Sequence, residues 1–522
     1  MRFSRSLVVF LFTLGTTNGF SQQIEPPLTE PFELGDLHKT WRLMGNEMVM
    51  FPLDMSAMPV LIGSERQLFL DNYLIAEVKD VTRNVRPPDR YKENPVLEPP
   101  RARANQIVVQ HVLKFDSSPR FRMWYWSWDD WQTLPAGQRI RHGNSYATSE
   151  DGVTWERPDL DLHKIDGIVG PNNVVVPYGM MQGIFHHPEE SDPQKRFKAL
   201  VLVERKNPTV REGYYIHTSP DGVRWRGHLE RPVIKSLQKY GFPQKGIGDT
   251  TRFWWDPIRR KYIGDVKFVI RPGTIRCRGV MESDDLVHWT RATPAFFARA
   301  NDAQIYGHRG FAYQGMYIGL RWIFLPEYSI RHSTYVELDC SRDGRIWTRV
   351  ASGQPYMAFN PKSDTWDATI MRPVSLLEVG DEVWIYYFGA PSQRETENPN
   401  YPKSAPVEYS MGLAMLPRDR FVSIDGGADS GTLTTRPLHF SGKRLHINAE
   451  VTPGGEITVA VLDIDGNVLD EFGESAPLRG DSIDLPVVWG SGDDLSHVSQ
   501  EGVRFRFRLH NAKLYSFWLS EG

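Results

Sequence analysis

The 522-residue chain lacks the short motifs that are typical of common cofactor and metal sites. It contains no C-x-x-C, H-E-x-x-H or G-x-S-x-G pattern, and no glycine-rich phosphate loop follows a strand. Only two cysteines, Cys277 and Cys340, are present. The sequence therefore predicts no metal site and no bound cofactor.

The chain also lacks an excess of charge and a long internal apolar run. Its 61 basic and 64 acidic residues leave a formal net charge of −3, and no block of like charge stands out. A nucleic acid is therefore not an expected partner. No internal segment is apolar over the length that a membrane-spanning helix needs, so we expect no membrane insertion.

Turn residues and aromatic side chains are abundant, with 43 glycines, 37 prolines and 12% aromatic residues. One heptad, S-x-D-G/L-x-x-W, occurs four times, at 149–155, 219–225, 283–289 and 341–347. Its Asp-Gly pair is typical of a tight hairpin, because the Asp side chain accepts backbone N–H bonds and glycine takes positive φ at little cost. Recurrence of such a unit predicts a repeat architecture.

A strand rich in aromatic and β-branched residues precedes each heptad, and a fifth copy lies at 383–388. Such strands are typical of sheets buried between other sheets. Five similar four-stranded units predict an all-β fold with a five-bladed β-propeller, in which the heptads form the hairpins between third and fourth strands. The fifth unit lacks the heptad, and we expect 409–414 and 420–424 to supply its last two strands. A β-sandwich is the alternative, but it would not repeat so regularly.

The N-terminus is typical of a secretory signal. Two arginines precede the apolar run 7–14, and Gly19 and Ser21 offer the small residues that cleavage before Gln22 needs. An ordinary buried strand is the alternative interpretation. The pattern predicts a signal peptide at 1–21 and a secreted or periplasmic protein.

The end of the repeat suggests the domain limits. We expect an irregular, proline-rich wrap at 22–65, the propeller at 66–425 and a small C-terminal β-sandwich at 432–522. The strand at 66–75 is expected to close the ring by joining the last unit.

The two cysteines fall at different offsets in third strands, since Cys277 lies six residues before Ser283 and Cys340 one residue before Ser341. The expected compartment permits a disulfide. The mismatch in offset favours two buried thiols, and their pairing stays open.

Carboxylates recur at one position of the predicted innermost strands. Measured from the serine of each unit, the starts of these strands are in near-constant register, and three successive units place Asp249, Asp302 and Asp367 there. Carboxylates in one funnel push each other's proton affinities apart, which gives an acid and a base from similar groups. Hydrolysis of a glycosidic bond needs such a set. The alternative is that each aspartate caps its strand or binds a structural cation on the propeller axis.

Other polar and aromatic side chains lie on or near the same strands. Those expected to bind substrate are Gln106, Gln182, Arg252, Gln304, Tyr306, Arg372 and Trp128. The arginines, with Arg309, either neutralise the aspartates or bind an anionic sugar through bidentate contacts. Glu327, on a loop after the second strand of unit 4, is a reserve general acid.

With this repeat and these aspartates, the chain resembles the five-bladed propeller glycosidases, the group that contains invertases, levansucrases, arabinanases and β-xylosidases. The resemblance covers about 66–425, and it looks strongest to secreted bacterial proteins loosely described as family 32-like glycosyl hydrolases. It implies that Asp249, Asp302 and Asp367 act as base or nucleophile, transition-state stabiliser and general acid, in an order that does not transfer. The chain lacks the W-M-N-D-P-N-G and R-D-P motifs, which speaks against sucrose-type fructosidase activity.

Three functional hypotheses follow. The first is a secreted glycoside hydrolase that acts on a poly- or oligosaccharide by carboxylate acid/base chemistry. The second is a non-catalytic carbohydrate-binding propeller. The third is a sialidase-type enzyme, because the heptad is one residue shorter than the S-x-D-x-G-x-x-W turn of those six-bladed propellers; only five units and no matched arginine triad are found, so it ranks last.

Overall fold

A computed structural model describes side chains in 56–99, 107–127, 143–164, 172–203, 211–235, 250–267, 275–296, 304–325, 333–350, 354–358, 365–390 and 409–521, and backbone alone at some strand ends and in three N-terminal strands. Within these residues the chain is almost entirely β, and its one helix is the short 3₁₀ turn Pro193–Lys195. The predicted all-β class is confirmed.

Three sheets of four antiparallel strands follow one another in the described sequence. Unit 1 consists of Gln106–Lys114, Phe121–Trp128, Arg141–Ser149 and Val174–Val176. Unit 2 consists of Met180–His186, Phe197–Val203, Gly213–Ser219 and Arg226–Gly227. Unit 3 consists of Arg252–Asp256, Lys261–Ile270, Ile275–Ser283 and Thr293–Phe296.

Two further units share one eight-stranded sheet. Unit 4 consists of Gln304–Tyr313, Met316–Phe324, Thr334–Ser341 and Thr348–Arg349. Unit 5 consists of Ile370–Val379, Glu382–Ala390, Ser410–Pro417 and Asp89–Arg90. A single parallel pairing, Thr334 with Ile370, joins the two units.

The first strands of these units contact one another in cyclic order, from unit 1 through unit 5 and back to unit 1. At the junction of units 5 and 1, the Val112 N–H donates to Ser375 Oγ at 2.9 Å and the Ile107 N–H donates to the Tyr409 carbonyl at 3.1 Å. The repeat therefore closes on itself, with the first strands innermost.

Each heptad forms the predicted turn after the third strand of its unit. In unit 1, Ser149 Oγ accepts the Gly152 N–H at 2.8 Å, and Asp151 Oδ1 accepts the N–H groups of Val153 and Thr154 at 2.9 and 2.7 Å. The aspartate contacts recur in the other three turns. The heptad tryptophans are half-buried.

The turns also join each unit to the preceding one. Trp124 of unit 1 donates through Nε1 to the Gly222 carbonyl of the unit 2 turn at 2.7 Å. Tyr386 of unit 5 donates in the same way to the Gly152 carbonyl of the unit 1 turn at 2.8 Å. In unit 3 a leucine, Leu286, occupies the glycine position with a φ of 66° and packs in one apolar cluster with Phe185 of unit 2.

The ring is closed by a strand other than the predicted one. Asp89–Arg90 pairs with the third strand of unit 5, whereas Gln67–Leu68 pairs with Arg504–Ser520 near the C-terminus. The prediction for 66–75 is wrong because the apolar residues of this segment are recruited elsewhere: Phe69 packs against Phe507 and Phe517. The segment 420–424 is also not the last strand of unit 5, since Val422–Gly426 pairs with Val81–Val85 and Arg504–Ser520.

A nine-stranded sheet contains most of the C-terminal part of the described chain. Its strands are Phe32–Glu33, Gln67–Leu68, Ile75–Lys79, Val81–Val85, Val422–Gly426, Gly431–Thr435, Arg444–Leu462, Asp481–Pro486 and Arg504–Ser520. Several of these strands come from the segment assigned to the propeller, and the limits 22–65, 66–425 and 432–522 stay predictions. Two small sheets pair Lys39–Met44 with Glu47–Pro52 and Val60–Ile62 with Leu438–Phe440.

Three further predictions concern the cysteines, membrane-spanning helices and the signal peptide. Cys277 and Cys340 are buried free thiols. Among the described residues, no helix has the length and apolar character that crossing a membrane requires. The predicted signal peptide 1–21 lies outside the described residues.

The contact between turn and neighbouring unit gives a stability prediction. Gly152 has a φ of 80°, and a Cβ there would lie 2.7 Å from the Trp384 ring of unit 5. We expect Gly152→Ala to lower the free energy of unfolding by about 2–4 kcal/mol, from backbone strain and overpacking together. Gly380→Ala is the control, because its φ is 59° and nothing lies within 4 Å; it should cost about 1 kcal/mol. Equal losses in urea denaturation would contradict the packing account.

Candidate functional site

The predicted site lies at the starts of the first strands, and part of it falls outside the described residues. Asp249, Asp302 and Glu327 are not described, and for Gln106 and Trp128 only the backbone is described. The predicted site residues whose side chains can be placed are Gln182, Arg252, Gln304, Tyr306, Asp367 and Arg372.

Four of the five first strands carry a β-bulge in their described part. The extra residues, which the ladder skips, are Gln110 in unit 1, Gln182 in unit 2, Tyr306 in unit 4 and Val374 in unit 5. A bulge turns a side chain away from the regular alternation and leaves backbone polar groups without a ladder partner. The bulges therefore reshape the inner ring next to the predicted site.

Arg309 of unit 4 bonds to one of these bulges. It is 1% exposed, and its Nη2 donates to the Gln110 carbonyl at 2.6 Å while Nη1 donates to the Phe253 carbonyl at 3.4 Å. Burial, together with the nearby charge of Arg252, lowers the pKa of Arg309 to about 9. This guanidinium ties units 1, 3 and 4 together across the inner ring.

Arg278 of unit 3 bonds to a second bulge. Its Nη1 donates to the Tyr306 carbonyl and to Thr250 Oγ1, each at 3.3 Å, and Nη2 donates to the Thr250 carbonyl at 2.8 Å. Asp265 is its counter-ion, with Nε donating to Oδ1 at 2.6 Å. Both ions are buried, at 0% and 1% exposure. The pair thus holds the start of two first strands at once.

The structure brings several predicted residues together between units 3, 4 and 5. The guanidinium carbon of Arg372 lies 4.2 Å from the centre of the Tyr306 ring, in a cation–π arrangement. Gln304 Oε1 accepts from Arg276 Nη1 at 2.9 Å and from the Arg276 N–H at 3.2 Å. Arg252 is buried and lies 5.9 Å from the centre of the Trp322 ring.

Asp367 is buried and bonded within unit 5, and its catalytic role stays a prediction. It is 1% exposed, Tyr387 donates its hydroxyl to Oδ2 at 2.8 Å, and Arg90 Nε lies 3.1 Å from the same oxygen. Burial raises the pKa of Tyr387 well above its usual value, so the phenol keeps the proton that it donates. These partners lie on the second and fourth strands of unit 5. Asp367 is therefore engaged inside its own unit, and the structure does not join it to Tyr306, Gln304 or Arg252.

A buried histidine lies beside the Asp265–Arg278 pair. His308 Nδ1 is 3.7 Å from Asp265 Oδ2, and Nε2 is 3.5 Å from Asp339 Oδ2. Arg321 donates through Nε to Asp339 Oδ2 at 2.9 Å. All of these side chains are at most 5% exposed. These side chains form a buried row of polar contacts that links units 3 and 4.

Sequence analysis missed Arg278, Asp265 and Arg90, although one signal was present. Arg276 and Arg278 alternate with Cys277 in a strand that is otherwise typical of a buried sheet, and buried charges require partners. Arg90 gave no such signal, because it lies in a two-residue strand far from Asp367 in sequence.

The charge of the described inner ring bears on the hypothesis of an axial cation. The charge of Arg252 helps to lower the pKa of the buried Arg309. Two neighbouring guanidinium groups repel a cation near them. Among the described residues, no group of three or more His, Cys, Asp or Glu side chains could hold a metal ion.

Known proteins similar to this chain are found among solved structures. No family model matches the chain, and no curated protein matches it either. Among solved structures, the chain is similar to an N-acetylgalactosamine deacetylase from F. plautii, with 14% identity, a TM-score of 0.42 and coverage of 65% of this chain and 96% of that one. It is also similar to a GH32 β-fructofuranosidase from Bombyx mori, with 10% identity, a TM-score of 0.39 and coverage of 84% and 94%.

A third similar structure comes from the GH130 family of mannoside phosphorylases, described as containing glycoside hydrolases that target β-1,2-mannosidic linkages in Candida mannan. The identity is 14%, the TM-score 0.41, and the coverage 64% of this chain and 95% of that one. With TM-scores below 0.5, these similarities carry no argument about the activity of this chain.

Two histidines, the half-buried His111 and the buried His217, predict how stability changes with pH. Burial, with the charge of Arg309, lowers the pKa of His111 to about 3, and burial lowers that of His217 to about 4. The unfolded chain binds these protons near pH 6.5 and the folded chain does not. The stability that these neutral rings contribute to the folded state is therefore fully present above about pH 6.5. This contribution is lost as the pH falls toward 4.

We expect His111→Gln to reduce the slope of unfolding free energy against pH, between pH 4.5 and 6, by about 1.4 kcal/mol per pH unit. His497→Gln is the control, since His497 is 55% exposed in the C-terminal part. Urea denaturation across this pH range measures both slopes. An unchanged slope in His111→Gln would contradict a neutral buried ring.

Proposed function

We propose that the chain forms a five-bladed β-propeller followed by a β-sandwich, and that the propeller hydrolyses a glycosidic bond in a poly- or oligosaccharide. The observation that carries the proposal is the common sequence register of Asp249, Asp302 and Asp367, each two or three residues before a first strand, together with the closed cycle of contacts between the first strands. The five four-stranded units support the blade count. The signal pattern at 1–21 supports a secreted or periplasmic protein.

The proposed chemistry needs one carboxylic acid and one carboxylate. The acid protonates the leaving glycosidic oxygen, and the carboxylate either activates water or attacks the anomeric carbon. We assign these two tasks to Asp249 and Asp302, without dividing them. Asp367 Oδ2 accepts a hydrogen bond from Tyr387 and lies 3.1 Å from Arg90 Nε, so it already faces two donors, which suits the stabilising role rather than that of the proton donor.

Substrate binding is proposed for the polar groups around these carboxylates. Tyr306 and Arg372 form a stacked pair, and Gln304 is held by Arg276, which orients its amide. Hydroxyl and amide groups of this kind bond sugar hydroxyls. Gln106, Gln182, Arg252 and Trp128 remain proposed contacts, with Glu327 in reserve as an acid.

A second candidate function is carbohydrate binding without catalysis. The observation that favours it is the engagement of Asp367 inside unit 5, since a buried carboxylate with two donors suits a structural role. In that case the polar groups of the inner ring would hold a glycan and no bond would break.

The kinetic test uses Asp249→Asn and Asp302→Asn, which keep shape and remove an ionisable group. If both are catalytic, each variant should lose on the order of a hundredfold or more in kcat on a glycan that the wild type cleaves, measured as release of reducing sugar. Asp116→Asn is the control, because Asp116 is exposed in a hairpin of unit 1; it should retain full activity.

The binding alternative predicts another pattern. No glycan in a panel of plant and algal polysaccharides would release reducing sugar with the wild type. Titration calorimetry with the glycan that binds would show weaker affinity in both aspartate variants. That pair of results would overturn the hydrolase proposal.

A further inference from the structure

A half-buried arginine lies at the end of unit 3 that is opposite to the heptad turn. Arg276 stands near the start of the third strand, and among the residues that the structure describes no carboxylate pairs with it. Arg278 lies two residues further along the same face of that strand and has Asp265 as its counter-ion. Within one strand, therefore, one guanidinium is neutralised by a described residue and the other is not.

The Arg276 guanidinium is held in one orientation by unit 4. Its Nη1 donates to Gln304 Oε1 at 2.9 Å, and the same oxygen accepts the Arg276 N–H at 3.2 Å. The guanidinium carbon lies 4.8 Å from the centre of the Phe324 ring. Nε and Nη2 donate to no residue that the structure describes. The plane of the fork is thus fixed while the edge formed by Nε and Nη2 stays available.

Cations and aromatic rings alternate from this arginine into unit 5. The centre of the Phe324 ring is 5.9 Å from that of Tyr306, and the guanidinium carbon of Arg372 lies 4.2 Å from the centre of the Tyr306 ring. Gln304, Tyr306 and Arg372 are the side chains for which sugar contacts are proposed. The Arg276 fork is therefore continuous with the proposed binding surface.

The chemistry of the fork indicates which ligand it suits. Two parallel N–H groups of a guanidinium match two oxygens of a carboxylate or a sulfate. A charge that is partly removed from water costs free energy unless it is paired, so a bound oxyanion would offset that cost. Hydroxyl groups of a neutral sugar need no charged donor, and the amide of Gln304 would serve them.

We propose that Arg276 binds an acid group of the glycan, a uronate carboxylate or a sulfate ester, and that the ligand of the funnel is an acidic poly- or oligosaccharide. The inference rests on the proposed function, because it names the class of glycan that the same site takes. Arg276 is then the residue that distinguishes an acidic glycan from a neutral one.

Titration calorimetry with two matched pairs of oligosaccharides tests the inference. Oligogalacturonate is compared with its methyl ester, and carrageenan oligosaccharides are compared with the same material after desulfation, so that carboxylate and sulfate are distinguished. We expect the wild type to bind one acidic member about ten- to a hundredfold more tightly than its neutral counterpart. The preference should weaken as the salt concentration rises, because a half-buried ion pair is partly screened.

Three variants locate the preference. Arg276→Gln removes the charge and should abolish the preference without changing the affinity for the neutral counterpart. Arg276→Lys keeps a point charge but loses the fork, so it should keep only part of the preference. Arg291→Gln is the matched control, because Arg291 is exposed just after the heptad of the same unit; it removes the same charge at the opposite end and should keep the full preference.

The outcomes separate this inference from the proposed function. An acidic oligosaccharide that binds through Arg276 and is not cleaved would refute the hydrolase proposal and leave the acid contact standing. Cleavage of neutral glycans alone, at equal rates in the wild type and Arg276→Gln, would support hydrolysis and overturn the acid contact. Absence of any preference for the acidic member of either pair, or a preference that survives in Arg276→Gln, would also overturn it.

Discussion

Two buried arginines bond the carbonyl groups of bulged residues of the inner ring, Gln110 and Tyr306. Arg309 of unit 4 reaches the Gln110 carbonyl of unit 1 across the ring, and Arg278 of unit 3 reaches the Tyr306 carbonyl of the neighbouring unit 4. An unpaired buried carbonyl costs about 1–3 kcal/mol, so a donor to the carbonyl of a bulged residue stabilises the ring. The hydrogen bond to the carbonyl of the bulged residue is also a bond between units. The bulged strands therefore contribute to the contacts that hold the ring together.

Two kinds of contact hold the units, one within the heptad turns and one between units. At the heptad end, short-range contacts make four similar turns, and the Gly152 and Gly222 carbonyls accept from aromatic residues of the preceding unit. Away from the heptads, charged side chains make contacts between units, as where Arg278 of unit 3 donates to the Tyr306 carbonyl of unit 4. Contacts within a turn depend on residues close in sequence, whereas contacts between units depend on residues far apart in sequence.

This division explains what could be predicted from the sequence. The heptad turns were predictable because Ser149 and Asp151 bond residues within three positions of themselves. The ring-closing strand was not, because Asp89–Arg90 is two residues long and pairs with a strand more than 300 residues away. The contact of Asp367 with Arg90 was not predictable for the same reason, because Arg90 lies in that strand. The positions of Asp249 and Asp302 rest on register alone.

The central claim is that Asp249 and Asp302 face one substrate bond across the inner ring. The measurement that tests it most directly is the distance between their carboxyl groups in a crystal structure of the wild-type protein. The account predicts about 5 to 10 Å, the range that spans retaining and inverting glycosidases. A separation well beyond about 10 Å would leave no single bond within reach of both groups and would contradict it.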